Sequence, residues 1–176
     1  MARVSYLRRE DGSDEDHVAI FDRLESERKM PTPNIFRALA HAPLQLDGLL
    51  TYAKSLRAAT ELGPGLRELV ILAIAAVKDG EYVASHHAQD AIKAGFDEEQ
   101  IAAIASNDQS SRLFSDAELA VIEFGRSVGT KEDVSLDTWE RAAEYLDDLQ
   151  MIQLTLTACW YASGVLMMRI LDLNLE

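Results

Sequence analysis

Cysteine is almost absent from this chain of 176 residues. The single cysteine, Cys159, has no partner within the chain, so a fold stapled by disulfides is excluded. Because Cys159 lies in an apolar stretch, we expect a buried thiol in a reducing compartment. No charged and then apolar leader opens the sequence, so we expect the protein to be cytoplasmic.

Long apolar runs and clusters of basic residues are also missing. The longest apolar stretch, from about Leu154 to Ile170, is interrupted by threonine, serine, glycine and arginine, which favours a core helix over a membrane span. Acidic residues outnumber basic residues by 30 to 17, giving a formal net charge of -13. This charge repels polyanions, and the acids are spread as on a solvated surface. We therefore expect neither nucleic acid nor a membrane as a partner.

Apolar residues recur at helical spacing from end to end, and the alternation typical of a half-buried strand is not sustained anywhere in the sequence. The pattern predicts an all-α protein of about eight helices, separated by proline and glycine. The first predicted helix begins at Ser13 and ends near Lys29. The next helices span Ile35–His41, Pro43–Ala59, Leu66–Lys78 and Glu81–Ala94. Further helices begin at Asp97, Leu119, Ser135 and Leu149. Residues 1–30 form an N-terminal segment with the first helix. Residues 31–176 form a helical domain, and the whole is expected to be one structural domain.

The segment Leu66–Lys78 is apolar nearly all round, so it predicts a central, buried helix. Glu68 is the only acid in this segment. A carboxylate in such a place must be paired or perform a function, because burying an unpaired charge is costly. Glu68 is therefore a candidate site residue.

Two of the four histidines stand side by side, as His86 and His87. Adjacent residues on a helix point about 100° apart, so only one of the two can face the interior. His87 shares its stripe with small and apolar residues, which predicts that His87 faces inward and His86 faces the rim or a subunit contact. Glu68, on the preceding helix, is the acid placed to pair with His87, because a short Asp79-Gly80 turn can bring two antiparallel helices together. Such a pair can exchange a proton near neutral pH, where histidine titrates.

Other interpretations of these residues remain open. Glu68 and His87 could form a purely structural pair with no substrate, or Glu68 could pair with Arg67 or Lys78 instead. A metal site built from His86, His87 and Glu81 is disfavoured, because adjacent histidines diverge and no His-x3-His spacing is present. We expect no metal.

Several segments together resemble one known family. They are Leu66 to Leu72, Glu81-Tyr82 through His86-His87, Ala91 with Ala94-Gly95-Phe96, Glu98 to Ile101, the lead-in Pro33 to Pro43, and the closing helix with Trp160-Tyr161 that ends at Leu171 to Leu175. This set resembles the carboxymuconolactone decarboxylase family, which includes the alkylhydroperoxidase D branch. The resemblance implies a single-domain helical bundle of the alkylhydroperoxidase D-like type, a homo-oligomer (trimer or hexamer), and a role in aromatic compound catabolism.

The peroxidase branch of that family carries the motif Cys-x-x-Cys-x-x-x-His and a proton-relay glutamate on the preceding helix. The matching positions here are Gly80, Val83 and His87, and Glu68 stands where the glutamate would be. Without a thiolate, no sulfenate or disulfide can form at these positions. The resemblance therefore implies the acid-base half of that site and not its redox half.

The function expected from this resemblance is that of a cofactor-independent lyase-like enzyme, acting on a small organic acid or lactone by decarboxylation or isomerisation. His87 would be the general acid and Glu68 would orient it, both lining a pocket, with Tyr82, His86 and Glu81 binding substrate. Arg57, Arg67 or Arg169 could bind a substrate carboxylate, and the sequence does not choose among them. The alternatives are a peroxidase-like oxidoreductase, disfavoured by the missing cysteines, and a non-catalytic oligomer that binds a small ligand.

Overall fold

The computed structural model describes residues 2–27, 31–58, 60–106, 112–131 and 133–174. Within these ranges the chain forms nine α-helices and one short 3-10 helix, Arg9–Asp11, with no strand. The helices are α1 (Glu15–Glu27), α2 (Asn34–Leu39), α3 (Pro43–Arg57), α4 (Gly63–Val77), α5 (Glu81–Lys93), α6 (Glu98–Ala105), α7 (Asp116–Lys131), α8 (Leu136–Ala143) and α9 (Asp148–Leu171). The all-α prediction is confirmed. The predicted ends of the first and third helices, Lys29 and Ala59, lie outside the described residues.

The chain divides into two compact units. The terminal unit comprises Met1–Ser55 together with Met167–Glu176, and the central unit comprises Leu56–Leu166. These boundaries differ from the predicted division at residues 30 and 31. The prediction of one domain overall stays a prediction.

The terminal unit has its own apolar core. Ile20, Phe21 and Leu24 on α1 pack with Leu46 and Leu50 on α3, and all five side chains are nearly inaccessible to solvent. Ile20 and Phe21 lie four and three residues before Leu24, and Leu46 lies four before Leu50, which places them on one face of each helix. The amphipathic pattern of the sequence therefore builds this core directly.

The central unit is organised around α4. Every residue from Glu68 to Ala75 on this helix is buried, and α5, α6 and α7 all pack against it. The approach of α7 is close because Gly125 faces α4: a Cβ at this glycine would lie 3.0 Å from the Val70 carbonyl oxygen. The predicted central, buried helix is thus observed.

Helix α4 begins earlier than the sequence pattern indicated. The sequence predicts this helix from Leu66, whereas α4 starts at Gly63 and includes Gly63, Pro64 and Gly65 in its first turn. Proline is favoured in that position because the first turn of a helix does not use its N–H groups internally. Residues that break a helix interior are therefore compatible with a helix start.

The long helix α9 is buried on one side only. By length and composition α9 could cross a membrane, but this is weak evidence because core helices pass the same test. Only 28% of its most apolar stretch is buried, and large apolar side chains are exposed along its other side: Leu149, Ile152, Leu156, Leu166 and Ile170. Cys159 is exposed as well, so the expectation of a buried thiol was wrong. A helix that is apolar nearly all round does not reveal which side is covered.

Candidate active site

A tight turn between α4 and α5 places Glu68 opposite His87. Helix α4 ends at Val77 and α5 begins at Glu81. Between them Asp79 adopts a left-handed backbone conformation, with φ of 53°, and the Gly80 N–H donates to the Ala75 carbonyl at 2.8 Å. The chain therefore reverses within a few residues, as the Asp79-Gly80 pause predicted, and the two helices pack side by side.

Glu68 and His87 are in direct contact. The Nδ1 atom of His87 lies 2.6 Å from the Oε2 atom of Glu68, and the two side chains are only 8% and 4% exposed. Because a carboxylate can only accept, Nδ1 carries the proton and donates it in this hydrogen bond. The predicted contact between these residues is present. The bond fixes the tautomer, so the neutral ring has its lone pair on Nε2.

The second ring nitrogen of His87 is not engaged by Glu68. Its Nε2 atom makes no hydrogen bond to any residue in the described part of the chain. A neutral imidazole offers an acceptor at this atom and a protonated imidazole offers a donor. The arrangement can therefore take up or release a proton at Nε2.

Arg67 occupies the other oxygen of Glu68. Its Nε atom donates to Oε1 at 3.1 Å. The sequence left open whether Glu68 pairs with His87 or with Arg67. In the structure Glu68 pairs with both residues. With both oxygens bonded, the carboxylate is held in one orientation, and this in turn fixes the imidazole plane.

Tyr161 and Arg57 complete the neighbourhood of His87. The Tyr161 ring packs edge-on against the imidazole, with centroids 4.9 Å apart and planes at 86°. Its hydroxyl accepts a hydrogen bond from an Nη of Arg57 at 3.3 Å. Burial raises the pKa of Tyr161 above its usual value, although the Arg57 charge opposes this effect. Tyr161 is therefore a neutral phenol at physiological pH.

Asp90 lies one turn after His87 on α5. Partial burial would raise the pKa of Asp90, but its hydrogen bond with Lys93 at 2.6 Å and the charges of Lys93, His87 and Arg57 lower it overall. Asp90 is thus ionised. Together Glu68, His87 and Asp90 offer three ligand atoms within 4.8 Å of one another, a spacing that a metal ion could use.

The surrounding charges do not favour a cation at that cluster. Arg67 is bonded to one of the carboxylates and Lys93 to the other, and the charge of Arg57 acts on both. Each of these groups repels a metal ion and competes for the carboxylate oxygens. The donor set therefore fits hydrogen-bonded acid-base chemistry better than metal binding.

The positions matching the two peroxidatic cysteines cannot supply a thiol pair. Val83 is buried, and Gly80 lies where a Cβ would come within 3.0 Å of Val165 Cγ2 and 3.1 Å of the Ala75 Cα atom. A larger residue at Gly80 would therefore fit only if its neighbours moved by a few tenths of an ångström. Cys159 lies on α9.

The three predicted substrate-binding residues lie on the first turns of α5. Tyr82 and His86 stack, with ring centroids 4.6 Å apart, and the His86 Nδ1 atom donates to the Tyr82 carbonyl at 2.9 Å. His86 is exposed while His87 is buried, as the helical spacing predicted. Glu81 is exposed and lines a cavity of about 470 Å³ whose wall is mostly alanine, leucine and isoleucine. Substrate binding by these residues stays a prediction.

We expected Glu68 and His87 to line a pocket. Three cavities, of about 440, 470 and 270 Å³, are walled by described residues. Neither Glu68 nor His87 belongs to the walls of these three. A pocket at the pair therefore also stays a prediction.

Comparison with known proteins shows which family this chain resembles. Residues 43–125, which contain Glu68, His87 and Asp90, match the model of the Carboxymuconolactone decarboxylase family. The family resemblance is confirmed. No curated protein matches the chain by sequence.

Solved structures with this fold cover nearly all of the chain. A peroxidase-related protein from Ralstonia eutropha JMP134, described as an alkylhydroperoxidase AhpD core, has a TM-score of 0.81 at 17% identity and covers 99% of this chain and 92% of its own. A cysteine-to-alanine variant of the debrominase Bmp8, in complex with 2,3,4-tribromopyrrole, has a TM-score of 0.79 at 16% identity and covers 100% and 92%. An AhpD-type protein from Agrobacterium tumefaciens has a TM-score of 0.71 at 11% identity and covers 78% and 94%. At these identities the likeness shows the alkylhydroperoxidase D-like fold.

Two residues of the site were not singled out from the sequence. Asp90 follows His87 by three positions, a spacing that places both on one helix face. Tyr161 follows Leu154 and Ala158 and precedes Val165 at helical spacing, and all four are buried. Both signals are present in the sequence, although neither identifies the residue that each side chain contacts.

Proposed function

We propose that this protein is an enzyme that moves a proton on a small organic acid or lactone, with no cofactor. His87 acts as the proton donor or acceptor, and Glu68 orients it. The observation that carries the proposal is the 2.6 Å bond between Nδ1 of His87 and a buried carboxylate, which leaves Nε2 without a partner among the described residues. A histidine held by one nitrogen and free at the other is the usual arrangement of a general acid or base.

In a decarboxylation, His87 would act in its protonated form. The bond between the carboxylate carbon and the adjacent carbon breaks, CO2 leaves, and the electron pair stays on the remaining carbon. The Nε2 proton then moves to that carbon, and the imidazole regains a proton from solvent. Glu68 contributes by stabilising the imidazolium before transfer, since its charge lies against the ring.

In an isomerisation, the same histidine would begin in its neutral form. The lone pair on Nε2 takes a proton from one carbon of the substrate, and the resulting imidazolium returns it to another. The number of protons is unchanged, so no exchange with solvent is required by the overall reaction. The Glu68 bond serves both reactions because it keeps the proton on Nδ1 throughout.

The comparisons support a small organic substrate. Bmp8 is named a debrominase and binds 2,3,4-tribromopyrrole, a small ring compound. The matching family is named for the decarboxylation of a lactone. Both names are consistent with a site that accepts a compact organic molecule, in line with the role in aromatic compound catabolism that the family resemblance implies.

A non-catalytic role is the second candidate. It is favoured by the fact that the three cavities described above are not lined by Glu68 or His87. In this case the pair would be a structural element and a cavity elsewhere would bind a small ligand. A peroxidase-like oxidoreductase is disfavoured, because Gly80 and Val83 occupy the positions of the reactive cysteines.

Proton exchange in D2O distinguishes the two candidates. The protein is incubated with a panel of carboxylated lactones and small organic acids, and proton NMR follows substrate loss and deuterium incorporation. We expect turnover of at least one compound, its abolition in His87→Gln, and its weakening in Glu68→Gln. His41→Gln, on an exposed histidine of the terminal unit, is the matched control and should react like the wild type. If no compound reacts, or if His87→Gln keeps the rate, the enzyme proposal fails.

We also propose that the protein is a cytoplasmic homo-oligomer, a trimer or hexamer. The exposed apolar side of α9 supports this, because five large apolar side chains between 42% and 56% exposed lie along one helix. Light scattering at micromolar concentration measures the mass directly. A monomer would contradict the proposal, and Leu156→Glu together with Ile152→Glu should reduce the mass of an oligomer that uses this side.

A further inference from the structure

The surroundings of Glu68 and His87 carry an excess of positive charge. Among the described residues, the charged groups that hydrogen bonds and charge effects link to the pair are the cations Arg57, Arg67 and Lys93 and the carboxylates of Glu68 and Asp90. The count is positive even with a neutral imidazole, in a chain whose formal net charge is -13. A local reversal of sign in an acidic protein attracts an anion to that place.

Arg57 is the one of these three cations that has no carboxylate in hydrogen-bond contact. Arg67 is bonded to Glu68 and Lys93 to Asp90, whereas the bond of Arg57 goes to the neutral Tyr161 hydroxyl at 3.3 Å. Arg57 makes no second hydrogen bond within the described ranges. A guanidinium has five N–H donors in a planar fork that matches the two oxygens of a carboxylate. Most N–H donors of the Arg57 guanidinium thus have no hydrogen-bond partner among the described residues.

Arg57 is also placed to bring a ligand to His87. Its hydrogen-bond partner Tyr161 packs directly on the imidazole, so a single side chain separates the guanidinium from the ring. Arg57 is exposed as a whole residue, its guanidinium makes a half-buried hydrogen bond to Tyr161, and Tyr161 and His87 are buried. Two successive side-chain contacts thus connect Arg57 with the buried imidazole of His87.

We propose that Arg57, assisted by the Tyr161 hydroxyl, binds the carboxylate of a small organic acid and holds the rest of the molecule against His87. The bound carboxylate is one that stays in the product, because an ionic bond to a departing carboxylate would stabilise the reactant and slow the loss of CO2. The substrate class is therefore an organic acid that keeps one carboxylate through the reaction. The reaction at His87 rests on the proposed function, and the binding of the anion does not.

Histidine NMR tests the binding without any knowledge of the substrate. The chain has four histidines, so a spectrum of protein labelled in the imidazole rings is simple, and His87→Gln identifies the His87 signal. Benzoate is the probe, and benzamide is its neutral counterpart of the same shape. We expect benzoate to shift the His87 signal saturably, and benzamide to bind more weakly by about tenfold or more.

Substitutions then assign the effect to Arg57. Arg57→Gln should weaken benzoate binding by about tenfold or more, and Arg57→Lys should give an intermediate loss because it keeps the charge but not the fork. Arg112→Gln, at an exposed arginine of the central unit, is the matched control and should bind benzoate like the wild type. Circular dichroism checks that each variant is folded. Equal affinity of wild type and Arg57→Gln, equal affinity for benzoate and benzamide, or no shift of the His87 signal would overturn the proposal.

The outcomes also separate this proposal from the proposed function. If benzoate binding depends on Arg57 but no compound of the panel reacts, the anion site stands and the enzyme proposal fails. If a compound reacts through His87 and Arg57→Gln leaves its KM unchanged, the enzyme proposal stands and the assignment of Arg57 fails.

Discussion

Replacing Glu68 by glutamine perturbs the site with almost no change of shape. The carboxylate accepts one hydrogen bond from Arg67 and one from His87, and the exposed fractions of these side chains are 4% for Glu68, 16% for Arg67 and 8% for His87. An amide has one accepting oxygen and one donating NH2 group. If the oxygen stays with Arg67, the NH2 group faces Nδ1 of His87. The contact then survives only if the ring moves its proton from Nδ1 to Nε2.

The magnitude follows from the loss of charge in buried hydrogen bonds. Hydrogen bonds to charged groups contribute about 1.5–3 kcal/mol, against about 1 kcal/mol for neutral ones. We therefore expect Glu68→Gln to lower the free energy of unfolding by about 1–3 kcal/mol. Glu68→Ala removes both bonds and leaves the buried His87 and the half-buried Arg67 without this partner, which costs about 3–5 kcal/mol.

Two measurements check this reasoning. Urea unfolding followed by circular dichroism and by tryptophan fluorescence gives the free energy, with Glu140→Gln on the exposed side of α8 as the control. The nitrogen-15 shifts of the His87 ring report which nitrogen carries the proton. A Glu68→Gln variant as stable as Glu140→Gln, with the proton still on Nδ1, would refute the idea that the Glu68 charge holds and orients the imidazole.

Three further predictions concern the thiol, the helix packing and the buried phenol. Peroxide consumption with a dithiol donor should be no faster than in Cys159→Ser, and clearly faster turnover would show a thiol-dependent site. Gly125→Ala should lower the free energy of unfolding in urea by about 1–3 kcal/mol, because its Cβ would crowd the Val70 carbonyl at 3.0 Å; Gly48→Ala, which meets nothing within 4 Å, should not be destabilised. Burial raises the pKa of Tyr161 above 10.0 in the folded state. The neutral phenol therefore contributes fully to the free energy of unfolding below about pH 10, and this contribution is lost as the pH rises through the pKa of Tyr161 in the folded protein. The ultraviolet absorbance of the wild type minus that of Tyr161→Phe follows the ionisation of this phenol during a pH titration. We expect ionisation above pH 10.0, and ionisation at or below that pH would contradict the prediction.

The sequence by itself determined the helical fold and the pair at the centre of the site. Glu68 is the only acid in an apolar helical segment, and the cost of burying a lone charge requires a partner for it. Helical spacing turns His87 inward and His86 outward, and the short turn at Asp79 and Gly80 brings the two helices together. These are local properties, and local properties can be read from residues close together in the chain.

Only the tertiary structure decided which distant residues surround the pair. Arg57 lies on α3 and Tyr161 on α9, and the choice among Arg57, Arg67 and Arg169 as an anion-binding residue had no basis in the sequence. The exposure of Cys159 was likewise undetermined, because α9 is apolar nearly all round. Periodicity tells which face of a helix is apolar, but the contacts between faces depend on how the helices pack, and that is a property of the folded chain as a whole.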